Sequence, residues 1–132
     1  LGYVSYKRAQ KRKRRKERRM TLEEYQKQAM TTCMASSENF SYMFLNLVGE
    51  VGEFASKVAK AIRKEENFID DNDLVNAIDD AELQKEAGDI LWQLSGLCTV
   101  MGWNLEDIAQ QNLDKLASRQ QRNVIDGSGD NR

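Results

Sequence analysis

The 132-residue sequence contains no histidine and no proline, and it has only two cysteines. The absence of histidine removes the commonest general base and transition-metal ligand, and with it the Glu-x-x-His pattern of carboxylate di-iron bundles. Cys33 and Cys98 lie in helical patterns without the spacing of a metal site, so we interpret them as reduced, buried small residues. Acid–base chemistry is therefore left to the carboxylates.

The sequence also lacks a long apolar run. This argues against a membrane-spanning helix, and the basic first residues lack the apolar stretch of a signal peptide. We therefore expect a cytoplasmic protein without a membrane partner. Its length and ordinary apolar share allow one domain with a sizeable core.

The formal net charge of −1 hides a strong asymmetry. Residues 1–19 contain ten Lys or Arg against one acidic residue, whereas residues 20–132 contain ten basic and twenty acidic residues. Such a basic segment is typical either of nucleic-acid binding or of a solvated tail. Just after it, Thr21-Leu-Glu-Glu24 has the capping-box pattern that begins a helix. We expect residues 1–19 to be a basic extension outside the functional domain, which we place at 20–132.

Apolar residues recur at intervals of three and four along most of the domain, and strand-like alternation is hard to find. This pattern predicts an all-α fold. The predicted helices cover about 22–35, 40–64, 80–101 and 104–121, with a polar connection over about 65–80. We expect Asp80 to cap the third helix, Gly102 to form its C-terminal turn and Asn104 to cap the fourth.

Two acidic pairs with helical spacing are the most informative feature of the domain. Glu50 and Glu53 are three residues apart on the second predicted helix, and Glu86 and Asp89 are three apart on the third. Residues with this spacing share a helix face, so four carboxylates converge if the two helices pack together. Like charges in a partly buried site need a counter-ion, and hard oxygen ligands favour Mg²⁺ or Mn²⁺. The pairs predict a metal site, with a solvated acidic face as the alternative.

Three glycines lie beside these acids, at Gly49, Gly52 and Gly88. Each costs about 1 kcal/mol relative to alanine in a helix interior. We expect either close helix crossing or close approach of a ligand at these positions.

Basic and amide side chains form a second set of candidates. Asn112, Lys115 and Arg119 fall on one stripe of the fourth predicted helix, and Lys57 follows the acidic pair of the second. Lysine offers a point charge and arginine a planar fork, and both match phosphate oxygens. We expect these side chains to bind substrate phosphates, with a solvated basic face as the alternative for the fourth helix.

Three motifs in this order make the chain resemble the MazG-like all-α nucleoside triphosphate pyrophosphohydrolases. They are Leu47-Val-Gly-Glu50-Val-Gly-Glu53, Glu86-Ala-Gly-Asp89-Ile-Leu-Trp92 and Asn112-x-x-Lys115-Leu-x-x-Arg119. The resemblance covers about Met20 to the C-terminus, whose Gly127-Ser-Gly-Asp-Asn-Arg132 also looks like the tail of some members. It implies an antiparallel bundle of about four helices, completed by assembly into a homodimer or homotetramer.

The resemblance also implies an activity and a cofactor. Members hydrolyse a ribo- or deoxyribonucleoside triphosphate between its α- and β-phosphates, giving a monophosphate and pyrophosphate, and nucleotide-pool cleansing is the role we expect. The implied cofactor is Mg²⁺, with Mn²⁺ as a substitute, held by Glu50, Glu53, Glu86 and Asp89. Because histidine is absent, we assign the general base to Glu53. The interval between the acidic pairs is longer than is usual in the family, so base and sugar preference stay open.

Two other hypotheses come from different classes of protein. One is a helical nucleic-acid-binding or adaptor module that acts through residues 1–19. Removing that segment separates the cases, because the module would lose salt-sensitive DNA or RNA binding, whereas the enzyme would keep metal-dependent hydrolysis. The other is a carboxylate metal-binding protein without turnover, which would bind Mg²⁺ or Mn²⁺ but give no product.

Overall fold

The computed structural model describes residues 6–10, 19–64, 70 and 78–131. The chain forms α1 (Leu22–Met30), a 3₁₀ turn (Ala35–Ser37), α2 (Phe40–Lys64), α3 (Asp80–Val100) and α4 (Leu105–Gln121). Residues 6–10 are helical and exposed, and no β-strand occurs in the described ranges, so the all-α prediction is confirmed. Among the helices described, none has the length and apolar character needed to span a membrane.

Side chains cap the starts of α1 and α4. Thr21 Oγ1 accepts a hydrogen bond from the Glu24 N–H at 3.1 Å, and the Thr21 N–H donates to Glu24 Oε2 at 2.9 Å. The predicted capping box is therefore confirmed. At the start of α4, Asn104 Oδ1 accepts from the N–H groups of Glu106 and Asp107, as predicted. These bonds satisfy N–H groups that have no partner within their helices.

Helix α1 is shorter than the sequence predicts. It ends at Met30 rather than near Ala35. The hydroxyl groups of Thr31 and Thr32 donate to backbone carbonyls three residues earlier, at 2.6 and 2.7 Å. Because these bonds satisfy carbonyls at the helix end, the helix can stop there although the apolar spacing continues.

Of the predictions for the two ends of α3, the one for its start is wrong and the one for its end is confirmed. Asp79 caps the helix, its Oδ1 accepting from the Glu82 N–H at 3.3 Å. The prediction of Asp80 as the cap is wrong by one position, because Asp80 is already the first helical residue. After α3, Gly102 has a φ of +70°, a left-handed conformation that favours glycine and suits its predicted turn.

Helices α2 and α3 form the main packed pair. Gly96 of α3 lies against Met43 near the start of α2, and a Cβ atom at Gly96 would overlap the Met43 side chain. Near the other end of the pair, Lys57 of α2 contacts Glu82 of α3. The earlier part of α2 thus meets the later part of α3, so the predicted antiparallel arrangement is confirmed for these helices.

A buried glutamine joins the remaining helices to this pair. Gln26 of α1 donates from Nε2 to Thr99 Oγ1 at 3.0 Å and to the Trp103 carbonyl at 2.9 Å. Its Oε1 accepts from the Leu105 N–H at 2.7 Å. One side chain therefore links α1, the end of α3 and the start of α4.

Few apolar side chains are buried among the residues that the structure describes. Within the part that the structure describes, the buried apolar residues are Met43, Cys98 and Leu105. Large apolar residues remain exposed along α2, among them Phe44, Leu45, Val48 and Val51. We call these four the α2 apolar face. Contiguous exposed apolar surface is typical of an interaction site.

Candidate metal centre

Three carboxylates meet between α2 and α3. One oxygen atom from each of Glu50, Glu86 and Asp89 lies within 4.8 Å of the others. Glu86 is buried, Glu50 is half-buried and Asp89 is exposed, so the cluster is open to solvent on one side. We call these three residues the acidic cluster. The structure therefore brings together three of the four predicted metal ligands.

Glu53, the fourth predicted ligand, is exposed and lies outside this group of three. It is nevertheless close enough to act on Glu50 electrostatically. Partial burial is the main cause of the raised pKa of Glu50, followed by repulsion from Glu53, Asp89 and Glu86. A hydrogen bond from Asn46 Nδ2 to Glu50 Oε1 at 3.3 Å opposes this rise in pKa. A cation bound here would relieve the repulsion.

Glu86 is the most buried residue of the acidic cluster. Its Oε1 accepts from Lys57 Nζ at 2.6 Å, whereas its Oε2 is buried and has no hydrogen-bond partner among the residues described. A buried carboxylate oxygen without a partner is costly. With the oxygens of Glu50 and Asp89, it forms the set of hard donors that Mg²⁺ or Mn²⁺ prefers. The residues present therefore fit a divalent metal ion.

Lys57 lies at the edge of the acidic cluster. Besides Glu86, its Nζ contacts Glu82 Oε2 at 3.3 Å. The hydrogen bond to Glu86 is the largest cause of the raised pKa of Lys57, so this side chain stays cationic at neutral pH. A cavity of about 290 Å³ adjoins it, lined also by Lys60 and Lys64. A cation thus lies beside the carboxylates, and its phosphate-binding role stays a prediction.

The predicted phosphate-binding residues of α4 lie in a different environment. Helix α4 packs against α1, and Asn112 is exposed. Lys115 Nζ lies 3.2 Å from Asp130 Oδ1, and Arg119 Nη2 lies 3.0 Å from the same oxygen. The structure therefore pairs these two cations with the C-terminal segment and not with the acidic cluster.

Asp130 is the partner that the sequence analysis missed. Its signal in the sequence is weak, since it is one acidic residue in a segment that also contains Gly127 and Gly129. Only the fold shows that the segment turns back towards α4. An acidic residue after a glycine turn, close to a basic helical stripe, is the pattern that could have indicated the contact.

The glycines divide into two classes. A Cβ atom added at Gly52 or Gly88 would meet nothing within 4 Å, and one at Gly49 would make only ordinary contact with Asn46. Helix crossing therefore does not explain Gly52 or Gly88 within the described chain, and close approach of a ligand stays the predicted reason. The close crossing occurs at Gly96, which the sequence analysis did not single out.

The MazG nucleotide pyrophosphohydrolase domain matches residues 38–124 of the chain. The chain belongs to the MazG family. The matched range contains both acidic pairs, Lys57 and the basic stripe of α4, so the resemblance seen in the motifs is confirmed. Family membership assigns this MazG chain to the nucleotide pyrophosphohydrolases in general.

A relative of this MazG chain is the Gene 37 protein of Mycobacterium phage L5. The two are 43% identical over 97 residues, which cover 74% of this chain and 80% of the relative. That name states no activity, so the relative supports the family and not a particular substrate. No solved structure matches the chain.

The basic extension stays a prediction. Most of residues 1–19 lie outside the described residues, and the matched MazG range begins after them.

Proposed function

We propose that this MazG chain hydrolyses ribo- or deoxyribonucleoside triphosphates between the α- and β-phosphates. The products are a nucleoside monophosphate and pyrophosphate, and the role is the cleansing of nucleotide pools. The observation that carries this proposal is the meeting of Glu50, Glu86 and Asp89 beside Lys57, within the segment that matches the MazG domain.

The acidic cluster would hold the cofactor, Mg²⁺, for which Mn²⁺ can substitute. When bound, this cation neutralises phosphate charge and makes a bound water more acidic. Glu86 contributes a buried oxygen that lacks a partner, Glu50 a carboxylate whose negative charge is disfavoured without a cation, and Asp89 an exposed oxygen on the solvent side. Glu53 lies next to these ligands and extends the negative surface.

Glu53 is our choice for the general base. It is exposed at the side of the cluster, where water has access, and it is not one of the three converging ligands. Its carboxylate would take a proton from the attacking water. The resulting hydroxide oxygen would bond to the α-phosphorus. The bond between that phosphorus and the α,β-bridging oxygen would break, and its electron pair would leave on pyrophosphate. Full turnover by a Glu53→Gln variant would exclude this role.

Positive side chains would bind the phosphates. Lys57 lies 2.6 Å from the buried carboxylate of Glu86, and a cation beside the acidic cluster supports this role. Lys115 and Arg119 would supply further cationic donors once released from Asp130, and Asn112 would supply an amide on the same helix. Together these groups would stabilise the charge that develops on the phosphate oxygens during hydrolysis.

We also propose that the chain works as a homodimer or homotetramer. In the single chain the α2 apolar face is uncovered, with Leu45 67% and Val48 59% exposed. A second copy is the simplest cover for such a face in a small domain with few buried apolar residues. Light scattering of the wild type should give a mass that is a multiple of the chain mass. Val48→Glu should lower the measured mass, whereas Ser56→Glu, at another exposed position of α2, should leave it unchanged. A monomeric wild-type chain would exclude this assembly.

The hydrolysis itself is tested by product analysis. Ribo- and deoxyribonucleoside triphosphates are incubated with Mg²⁺ and the intact chain, or with a Glu50→Gln, Glu86→Gln double variant. Monophosphate and pyrophosphate from the intact chain alone would support the reaction and rank the substrates. Absence of product from both proteins, with Mn²⁺ also tried, would exclude the enzyme. It would favour the nucleic-acid-binding or adaptor module that acts through residues 1–19.

A further inference from the structure

The chain turns back after α4. Asn123 has a φ of +57°, a left-handed conformation that few residues other than glycine adopt easily. The Val124 N–H then donates to the Arg119 carbonyl at 2.9 Å, which closes the helix end. Gly129 has a φ of +81°, a second left-handed position, and here glycine is the favoured residue. We call residues 122–131 the C-terminal strap.

The strap holds two cations of α4 through one side chain. Asp130 Oδ1 lies 3.0 Å from Arg119 Nη2 and 3.2 Å from Lys115 Nζ. The same Nη2 also donates to the backbone carbonyls of Gly129 and Asp130, at 3.3 and 3.1 Å. A carboxylate oxygen shared by a lysine and an arginine is placed as a phosphate oxygen would be.

The burial of the two partners is very unequal. The side chain of Arg119 is 6% exposed, whereas that of Asp130 is 82% exposed. Since backbone carbonyls of the strap occupy Arg119 Nη2, an external anion gains full access to this guanidinium only when the strap moves away. Such a movement breaks the ion pairs of the exposed Asp130 carboxylate, which contribute little to stability, and also the two bonds from Arg119 Nη2 to backbone carbonyls.

Arg119 also has an unused donor. Its Nε is buried and has no hydrogen-bond partner in the described chain. A guanidinium prefers bidentate partners with oxygens in a plane, and Asp130 reaches it through Nη2 alone. A phosphate group offers more oxygen atoms than this one carboxylate contact uses. Asp130 therefore contacts the guanidinium of Arg119 but does not use all of its donors.

We propose that the C-terminal strap is autoinhibitory: Asp130 occupies an anion site formed by Lys115 and Arg119, and a pyrophosphate group displaces it. The inference rests on the proposed function, because it takes the phosphate-binding role of these two cations as its starting point. The hydrogen bond from Arg119, followed by that from Lys115, holds the pKa of Asp130 below its usual range, so the carboxylate is ionised and competes with phosphate at neutral pH. The strap would then raise the concentration of polyphosphate needed to fill the site.

Direct binding of inorganic pyrophosphate to the full chain tests the strap. Calorimetric titrations without divalent metal compare the wild type, Asp130→Asn and the matched control Asp126→Asn, which neutralises another exposed carboxylate of the strap. Asp130→Asn should bind about three- to tenfold more tightly, as expected when one charged competitor is removed. Asp126→Asn should bind as the wild type does. Adding Lys115→Gln to Asp130→Asn should remove the gain, which places it at this site and not at residues 1–19.

Other outcomes would overturn the proposal. Weaker binding by Asp130→Asn would mean that Asp130 positions the cations for phosphate and does not compete with it. Equal binding by all variants, or none by any, would mean that the anion site does not exist as described.

Hydrolysis of nucleoside triphosphates with Mg²⁺ is measured separately on the same proteins. If Asp130→Asn binds pyrophosphate more tightly but no protein hydrolyses nucleotides, the role of the strap is supported and the proposed hydrolysis is contradicted. If nucleotides are hydrolysed but Asp130→Asn binds pyrophosphate no more tightly, the hydrolysis is supported and the role of the strap is contradicted.

Discussion

Lys57 Nζ lies 2.6 Å from Glu86 Oε1, and this contact joins α2 to α3 at the edge of the acidic cluster. It gives the buried Glu86 side chain a cationic partner from the neighbouring helix. It satisfies only one of the two oxygens, because Oε2 remains without a hydrogen-bond partner among the described residues. Lys57 thus satisfies one oxygen of the acidic cluster, and the proposed metal ion would bind remaining oxygens.

Removing this cation should strengthen binding of free metal. In a Lys57→Gln variant the cluster is more negative, so Mn²⁺ in the absence of nucleotide should bind about two- to fivefold more tightly, a modest effect because the lysine is partly solvated. Nucleotide binding should weaken at the same time, since a phosphate-binding group is lost. Lys60→Gln, on the same helix, is the control and should leave the affinity for Mn²⁺ unchanged. Weaker Mn²⁺ binding by Lys57→Gln would show that the lysine organises the ligands.

Alanine substitutions should separate the two classes of glycine. Gly96→Ala should destabilise the protein by about 1–2 kcal/mol, because the new Cβ must displace the buried Met43 side chain. Gly52→Ala has open space and should stabilise it by about 1 kcal/mol or less through helix propensity. Urea unfolding measures both. If Gly52→Ala also lowers turnover while raising stability, the space at Gly52 is used by substrate or by a second copy. A Gly96→Ala variant with the same free energy of unfolding as the wild type would contradict the close crossing of α2 and α3.

The raised pKa of Glu50 predicts that neutralising this side chain stabilises the metal-free protein, by an amount that depends on pH. Because its pKa is higher in the folded chain than in the unfolded chain, ionised Glu50 destabilises the metal-free protein at neutral pH. Metal-free Glu50→Gln should therefore melt about 1–4 °C above the wild type at pH 7. The difference should shrink as the pH falls through the raised pKa, because the wild-type carboxyl then takes up a proton. A lower melting temperature for Glu50→Gln at pH 7 would mean that the charge is already compensated.

Much of the fold and of the acidic cluster could be predicted because both depend on local spacing. Glu86 and Asp89 share a helix face whatever surrounds them, and Thr21 and Asn104 cap helices through bonds to residues two or three positions away. The end of α1 depended on hydroxyl bonds that apolar spacing does not report.

The contacts of α4 could not be predicted in the same way. Asp130 reaches Arg119 and Lys115 only because the chain turns back at Asn123 and again near Gly129. Neither turn leaves a clear periodic signal in the sequence. The close approach at Gly96 is likewise visible only once α2 and α3 are packed.

The most direct test of the metal centre is a Mn²⁺ titration of the wild type, Glu86→Gln and Glu82→Gln, followed by electron paramagnetic resonance. Glu82 is the matched control, since it lies one turn before Glu86 and also contacts Lys57, yet is not part of the acidic cluster. We expect Glu86→Gln to weaken Mn²⁺ binding by at least about tenfold, because loss of even a supporting group at a metal site costs 10–100-fold. Glu82→Gln should bind nearly as the wild type does. Equal affinity in Glu86→Gln and the wild type, or no Mn²⁺ bound by the wild type, would contradict the assignment of Glu50, Glu86 and Asp89 as the metal site.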